Sequence, residues 1–180
     1  MKLTLPSKVQ NILGILNCKL GPDVLPKSPV LLAVSTVAFA VAVFLFQYNF
    51  YSLARAAASG IGSSVLLALV AILFARVSGH NERLMQTLTA LALGGAIVIF
   101  VRTALGYFIS NSPSYITDLP EVNVKQLVSF VLFPLYVWNI FVFAFLFRRS
   151  FRTDTVISFA ISIALVVGLY FSVPLAFKSL

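Results

Sequence analysis

Long apolar stretches separated by short polar ones dominate the pattern of this chain. A transmembrane helix needs about 20 mostly apolar residues, within a range of roughly 17 to 25. Five intervals free of Asp, Glu, Lys and Arg reach that range: residues 28–54, 56–75, 84–101, 126–147 and 155–177. The pattern therefore predicts an all-α membrane protein, a bundle of five transmembrane helices in residues 29–180. The predicted spans are 29–48, 56–76, 84–108, 127–147 and 156–177.

The apolar runs predict helices rather than strands. Strands of a membrane β-barrel alternate apolar and polar residues over about 10 positions. Residues 65–74 are instead apolar at every position. In lipid, such a run must satisfy its backbone hydrogen bonds internally, and a helix does so.

Residues 1–28 form a more polar N-terminal arm, for which we predict an amphipathic helix. Pro6 suits the first turn of a helix. The apolar residues that follow share one helix face at spacings of three and four: Val9, Ile12, Leu13 and Leu16. Lys8 and Lys19 flank them. This helix lies on an anionic lipid surface or packs against protein, and its periodicity does not distinguish the two. The arm is also too long and polar for a cleaved signal peptide.

Composition excludes several classes of protein. The chain is 60% hydrophobic and 10% charged, whereas soluble domains carry about 25% charged residues. It has one cysteine and one histidine, so we expect no disulfide, no metal site and no cofactor. All five carboxylates lie outside the predicted spans, and catalysis at membrane depth needs an activated group there. We expect no catalytic residues, no enzyme activity and no nucleic-acid partner.

The Lys and Arg residues predict the orientation, because cytoplasmic loops carry the excess of these cations. With the N-terminus inside, nine of them lie on the cytoplasmic side and three outside. We therefore expect a multi-pass protein of the bacterial inner membrane with a cytoplasmic N-terminus and an external C-terminus. The strongest cluster, Arg148, Arg149 and Arg152, together with Lys8 and Lys19, is a candidate surface for anionic lipid or a partner protein.

Two stripes of small residues predict close helix packing. The second span carries Ala56, Gly60 and Ser64 at a spacing of four, and the fifth carries Ala160, Ala164 and Gly168. Small residues let two helix backbones approach closely in a membrane. We expect these stripes to pack within one chain in preference to forming a seam between two copies.

Four polar residues interrupt the third and fourth spans, and they are candidates for intramembrane contacts: Gln86, Thr89, Arg102 and Asn139. Gln86 and Arg102 are 16 positions apart, about 24 Å along a helix. Arg102 lies near the outer end, where we expect it to extend toward headgroups or cap carbonyls; a buried anion-binding arginine is the alternative. Asn139 should donate a hydrogen bond to another helix.

Three features together resemble the small bacterial members of the Yip (Ypt-interacting protein) membrane family. These are the five closely spaced spans after a polar arm, the sequence of residues 83–90 (RLMQTLTA) and Val137-Trp138-Asn139. The resemblance implies a non-enzymatic integral membrane protein that acts through partners. We therefore expect an accessory or scaffold protein in contact with membrane lipids and with other membrane proteins or itself. The competing hypothesis is a transporter or channel component whose path is lined by the four polar residues.

Overall fold

The computed structural model describes residues 6–111 and 124–177, and within them every regular element is helical. The described residues form six longer helices, with a short 3₁₀ turn between the first and second and another between the third and fourth. The sixth helix continues through a π-helical segment into a final short helix. In chain order the elements are α1 Ser7–Leu16, a 3₁₀ turn Pro22–Val24, α2 Pro29–Tyr48, α3 Leu53–Ser78, a 3₁₀ turn Asn81–Arg83, α4 Leu84–Asn111, α5 Val124–Phe151, α6 Thr155–Val167, a π segment Gly168–Ser172 and α7 Val173–Ala176.

Within residues 6–111 and 124–177, four stretches of helix are long and apolar enough to cross a membrane: Pro29–Tyr48, Leu53–Ser78, Asn81–Phe108 and Leu132–Phe151. They correspond to the first four predicted spans, and they are compatible with a multi-pass membrane protein. The fifth predicted span begins as a shorter apolar helix, Thr155–Tyr170. The predicted all-helical class is therefore confirmed for the described residues.

Local sequence sets where the helices begin and end. The side chains of Ser28 and Ser52 accept backbone N–H groups at the starts of α2 and α3, which satisfies donors that have no partner inside a helix. Asp154 accepts the N–H of Val156 at 2.8 Å and so caps the start of α6 in the same way. Gly79 ends α3 with φ of 73°, a left-handed conformation that glycine adopts without steric cost.

Helix α4 is the most enclosed of the four long helices. Within its most apolar 18-residue window 56% of the residues are buried, against 22% for α2 and 28% for α3. α2 packs against α3 and α4, while α5 packs against α4 and α6. The core between them is formed by Phe39, Leu91, Ile99, Phe143 and Phe147. Residues on α4 therefore have neighbours on most sides.

The helices place their connections at two ends of the bundle. We call the end that holds residues 6–28, 79–83 and 152–154 the arm end, and the end that holds the α2–α3 turn at residues 49–52 the far end. Because successive long helices run in opposite directions, the arm and the short turns before α4 and α6 all lie at the arm end.

Helix α1 packs against the bundle, but only part of the predicted apolar face is buried. Ile15 and Leu16 are buried, whereas Val9 and Leu13 are 39% and 41% exposed. The reason lies after the helix, where the chain reverses and Leu20 folds back over the helix at Gly14. That reversal fixes which side of α1 meets α4, and periodicity within α1 does not contain this information.

Candidate functional site

Arg102 lies inside the bundle, on α4 toward the far end. Its side chain is 1% exposed, and it is the largest fully buried side chain among the described residues. The expectation that Arg102 extends to headgroups or caps carbonyls is wrong. It sits three positions after Ile99 and four after Val98, which are both buried, so it continues the packed face of α4.

Three aromatic rings surround the guanidinium group. Its central carbon, Cζ, lies 3.6 Å from the ring centroid of Phe46, 4.2 Å from that of Tyr170 and 4.5 Å from that of Tyr136. Tyr136 and Tyr170 also pack edge to face, with centroids 4.9 Å apart. We call Arg102 and these three rings the Arg102 cage. Since the rings come from α2, α5 and the π segment, the cage joins four parts of the fold.

Among the described residues, the guanidinium group meets aromatic rings and no hydrogen-bond acceptor. None of the three guanidinium nitrogens has a hydrogen-bond partner in the part of the chain that the structure describes. A desolvated cation over an aromatic ring gains about 2 kcal/mol, whereas burying an ion costs several kcal/mol even after relaxation. The rings therefore offset part of the burial cost and leave the N–H donors unsatisfied.

Asn139 extends the cage by one hydrogen bond. Its amide Nδ2 donates to the Tyr170 hydroxyl at 3.1 Å, so the predicted contact with another helix is confirmed. Asn139 lies three positions after Tyr136 on α5 and therefore on the same face of the helix. Its amide oxygen, Oδ1, is buried and has no partner among the described residues.

Gln86 and Thr89 lie at the arm end and do not reach the cage. The Gln86 amide donates to the carbonyl oxygens of Leu25 at 2.6 Å and Asp23 at 3.4 Å. The Thr89 hydroxyl donates to the carbonyl of Met85, one turn earlier in its own helix, at 2.8 Å. The four intramembrane polar residues thus form two separate groups, one at each end of α4.

The small-residue stripe of α3 packs within the chain. Ala56 is fully buried, and a Cβ atom on Gly60 would lie 2.6 Å from the carbonyl oxygen of Ala40 on α2. The Ser64 hydroxyl donates back to the Gly60 carbonyl at 3.1 Å. Helices α2 and α3 therefore approach closely at this glycine.

The prediction that the small-residue stripe of α6 packs within the chain is wrong for two of its three residues. Ala160 and Ala164 are exposed, while Gly168 packs against Leu66 of α3. Ser158 and Ser162 are buried instead. They are also small and spaced by four, and each hydroxyl donates to a carbonyl one turn earlier. They lie two positions before Ala160 and Ala164, and therefore on the opposite side of the helix.

Cationic side chains gather at the arm end. The Arg149 guanidinium lies 3.8 Å from the Asp23 carboxylate, and Arg83 donates to the Arg149 carbonyl at 3.4 Å. The arm and the end of α5 are thereby brought together. Exposed Lys19, Arg148, Arg149 and Arg152 form what we call the basic face. The side chain of Lys8 lies outside the described residues.

Two contacts of the arm were not anticipated from the sequence. The Trp138 indole donates to the carbonyl of Leu16, the last residue of α1, at 3.1 Å. Cys18 lies near the Phe141 carbonyl, with its sulfur 4.0 Å from the oxygen. Burial raises the pKa of the Cys18 thiol. A tryptophan well inside an otherwise apolar span was the available signal, because a buried indole N–H requires an acceptor.

Comparison of the chain with protein-family models, with curated proteins and with solved structures finds no match. The resemblance to the Yip family therefore stays a prediction. Within the described residues, no three His, Cys, Asp or Glu side chains are placed to hold a metal ion.

Proposed function

We propose that this chain is a non-enzymatic accessory or scaffold protein of the membrane, as its resemblance to the Yip family implies. The observation that carries the proposal is the docking of the arm. Gln86 and Trp138 hold the arm by its carbonyl groups, and the Asp23–Arg149 contact brings it beside the end of α5. The result is one basic face at the end of the bundle, which suits an acidic partner protein or anionic lipid.

The proposed topology has five crossings. Helix α6, the π segment and α7 follow one another without a break from Thr155 to Ala176, which at 1.5 Å per residue gives roughly 33 Å, enough for a hydrocarbon layer of about 30 Å. With the basic face in the cytoplasm, the C-terminus is external. Cysteines introduced singly into a Cys18→Ala background at positions 2 and 180 test this topology, since an impermeant maleimide applied to intact spheroplasts should label only position 180.

The second candidate function is a transporter or channel component, and the burial of Arg102 at membrane depth favours it, because such residues often mark ion or substrate pathways. A continuous path would bring the four polar residues to one hydrated cavity. Gln86 and Thr89 instead bond to backbone carbonyls at the arm end, which favours the scaffold. Solute flux that depends on Arg102 in reconstituted vesicles would favour the transporter.

The test of the scaffold proposal uses an acidic peptide, polyglutamate, and the protein in neutral-lipid nanodiscs. Each basic residue near an interacting surface contributes about 1 kcal/mol. Replacing Arg148, Arg149 and Arg152 together with glutamine should therefore weaken peptide binding on the order of a hundredfold. Arg55→Gln at the far end is the matched control and should leave the affinity unchanged. Equal affinity of the triple variant and the wild type would refute the proposal.

A further inference from the structure

Arg102 presents a binding capacity that the scaffold proposal does not use. A guanidinium group carries five N–H donors in a planar fork, and none of its nitrogens has a partner among the described residues. The described carboxylates, Asp23, Glu82 and Asp154, all belong to the arm end. Within the described chain, the buried cation therefore has aromatic faces beside it and no counter-charge.

We propose that the Arg102 cage is a binding site for an oxyanion group, such as a phosphate, which enters from the far end. The planar fork of arginine matches the oxygens of phosphate or carboxylate and forms two parallel hydrogen bonds with them. The cage rings pack against the face of the guanidinium group and hold its plane in position. An anion can therefore bind the N–H groups at the edge of the guanidinium. The site is independent of the basic face, which lies at the other end of the bundle.

A groove lies at the far end of the bundle, between the two helices that carry Phe46 and Arg102. The groove holds a cavity of about 330 Å³ between α2 and α4 and is lined by Leu45, Tyr48, Asn49, Phe100, Thr103, Ala104 and Tyr107. Phe46 follows Leu45 in the chain, and Thr103 follows Arg102. Phe46 is half-buried and covers the guanidinium from the α2 side. Arg102 and the cage rings do not line the groove, so entry of the anion requires a ring such as Phe46 to move aside.

The depth of the site suits a headgroup or a dissolved anion. Arg102 lies 18 positions after Leu84, the first residue of α4, which is about 27 Å along the helix axis. The hydrocarbon layer of a bilayer is about 30 Å thick. With the start of α4 at one boundary, Arg102 lies close to the other. A phosphate group therefore reaches it without crossing the layer, either as part of a phospholipid or as the free ion.

The test measures thermal unfolding of the protein in a neutral detergent, using the fluorescence of Trp138, the one tryptophan of the chain. Inorganic phosphate is titrated against chloride at constant ionic strength, and short-chain phosphatidylglycerol is titrated against the matching diacylglycerol. A ligand present at ten times its dissociation constant should raise the midpoint by about 3 to 6 °C. A response to phosphate identifies the free ion as a ligand, and a response to the phospholipid alone identifies the headgroup.

Three variants locate the response. Arg102→Met keeps an unbranched apolar stem without the guanidinium group and should abolish the rise. Arg102→Lys keeps the positive charge but lacks the planar set of N–H donors, and it should weaken binding about tenfold. This variant replaces Arg102→Met in the test if the methionine variant does not fold. Arg55→Met is the matched control, because Arg55 also lies over a tyrosine ring, that of Tyr51 at 3.8 Å, and its loss should leave the rise intact. A wild-type midpoint insensitive to both ligands, or a rise that Arg102→Met or Arg102→Lys retains in full, would overturn the proposal.

Discussion

Replacing Gly60 with alanine should destabilise the bundle by separating α2 from α3. The new Cβ atom would lie 2.6 Å from the Ala40 carbonyl oxygen, whereas ordinary contact begins at 3.4 Å. The carbonyl oxygen belongs to the backbone and cannot rotate away as a side chain could. One helix must therefore move by about 0.8 Å to restore ordinary contact between the two atoms. Overpacking of this kind costs about 1 to 3 kcal/mol.

Gly94→Ala is the matched control for this substitution. A Cβ atom there would lie 3.5 Å from a methyl group of Val142, which is ordinary contact. Both variants gain the same helix propensity, about 1 kcal/mol for alanine over glycine, so the difference between them isolates the overpacking cost. We expect Gly60→Ala to be less stable than Gly94→Ala by about 1 to 3 kcal/mol.

Equilibrium unfolding in mixed micelles, followed by circular dichroism, measures this difference, and size-exclusion chromatography with light scattering monitors the oligomeric state. Because Gly60 packs against the same chain, the oligomeric state should be identical in both variants. Equal unfolding midpoints would refute the close approach of α2 and α3. A Gly60→Ala protein that loses an oligomer and keeps its unfolding free energy would place the seam between copies instead.

Four further substitutions probe the polar contacts. Asn139→Leu and Tyr170→Phe should each destabilise the protein by about 0.6 kcal/mol and at most about 2 kcal/mol. The double variant should lose less stability than the sum of the two, because both side chains share one hydrogen bond. A double-mutant cycle of unfolding free energies measures this difference. Gln86→Leu should loosen the arm and speed trypsin cleavage after Lys19, while the rest of the chain stays resistant; an unchanged cleavage rate would contradict the contact with Leu25. Trp138→Phe removes the hydrogen bond to α1 and should increase the rate at which maleimide labels Cys18. Burial raises the pKa of this thiol. The labelling rate of the wild type should therefore still rise above pH 8.5, where the rate of an unperturbed thiol begins to level off.

The charge gaps predicted the four long helices well, because the length of an apolar run and the cost of burying charge are both properties of the sequence itself. Which side of a helix faces its neighbours is different. The core-forming part of helix α4 is apolar on every side, so the periodicity of its residues does not mark a packed face. The position of Arg102 along the helix axis likewise does not show toward which side of the helix its side chain points. A usable signal was Gly95, seven positions earlier and therefore on the same side, which packs against Phe39.

The arm illustrates the same limit. Its helix was predictable from local spacing, but its seating depends on acceptors offered to Gln86 and Trp138, which lie more than 60 and 120 positions away in the chain. Likewise α6 carries small residues at a spacing of four on two opposite sides, and this spacing does not show that the side with Ser158 and Ser162 is the packed one. Contacts between distant parts of the chain decided each of these outcomes.

The attachment of the arm also orders the steps of biosynthesis. The arm is synthesised before the long helices, yet the indole that donates to the carbonyl of Leu16 belongs to α5 and is made more than a hundred residues later. Until α5 has entered the membrane, α1 has only part of its docking surface. The arm thus completes its seating only after α5 is made, and a chaperone or translocation factor would find it accessible while α2, α3 and α4 are inserted.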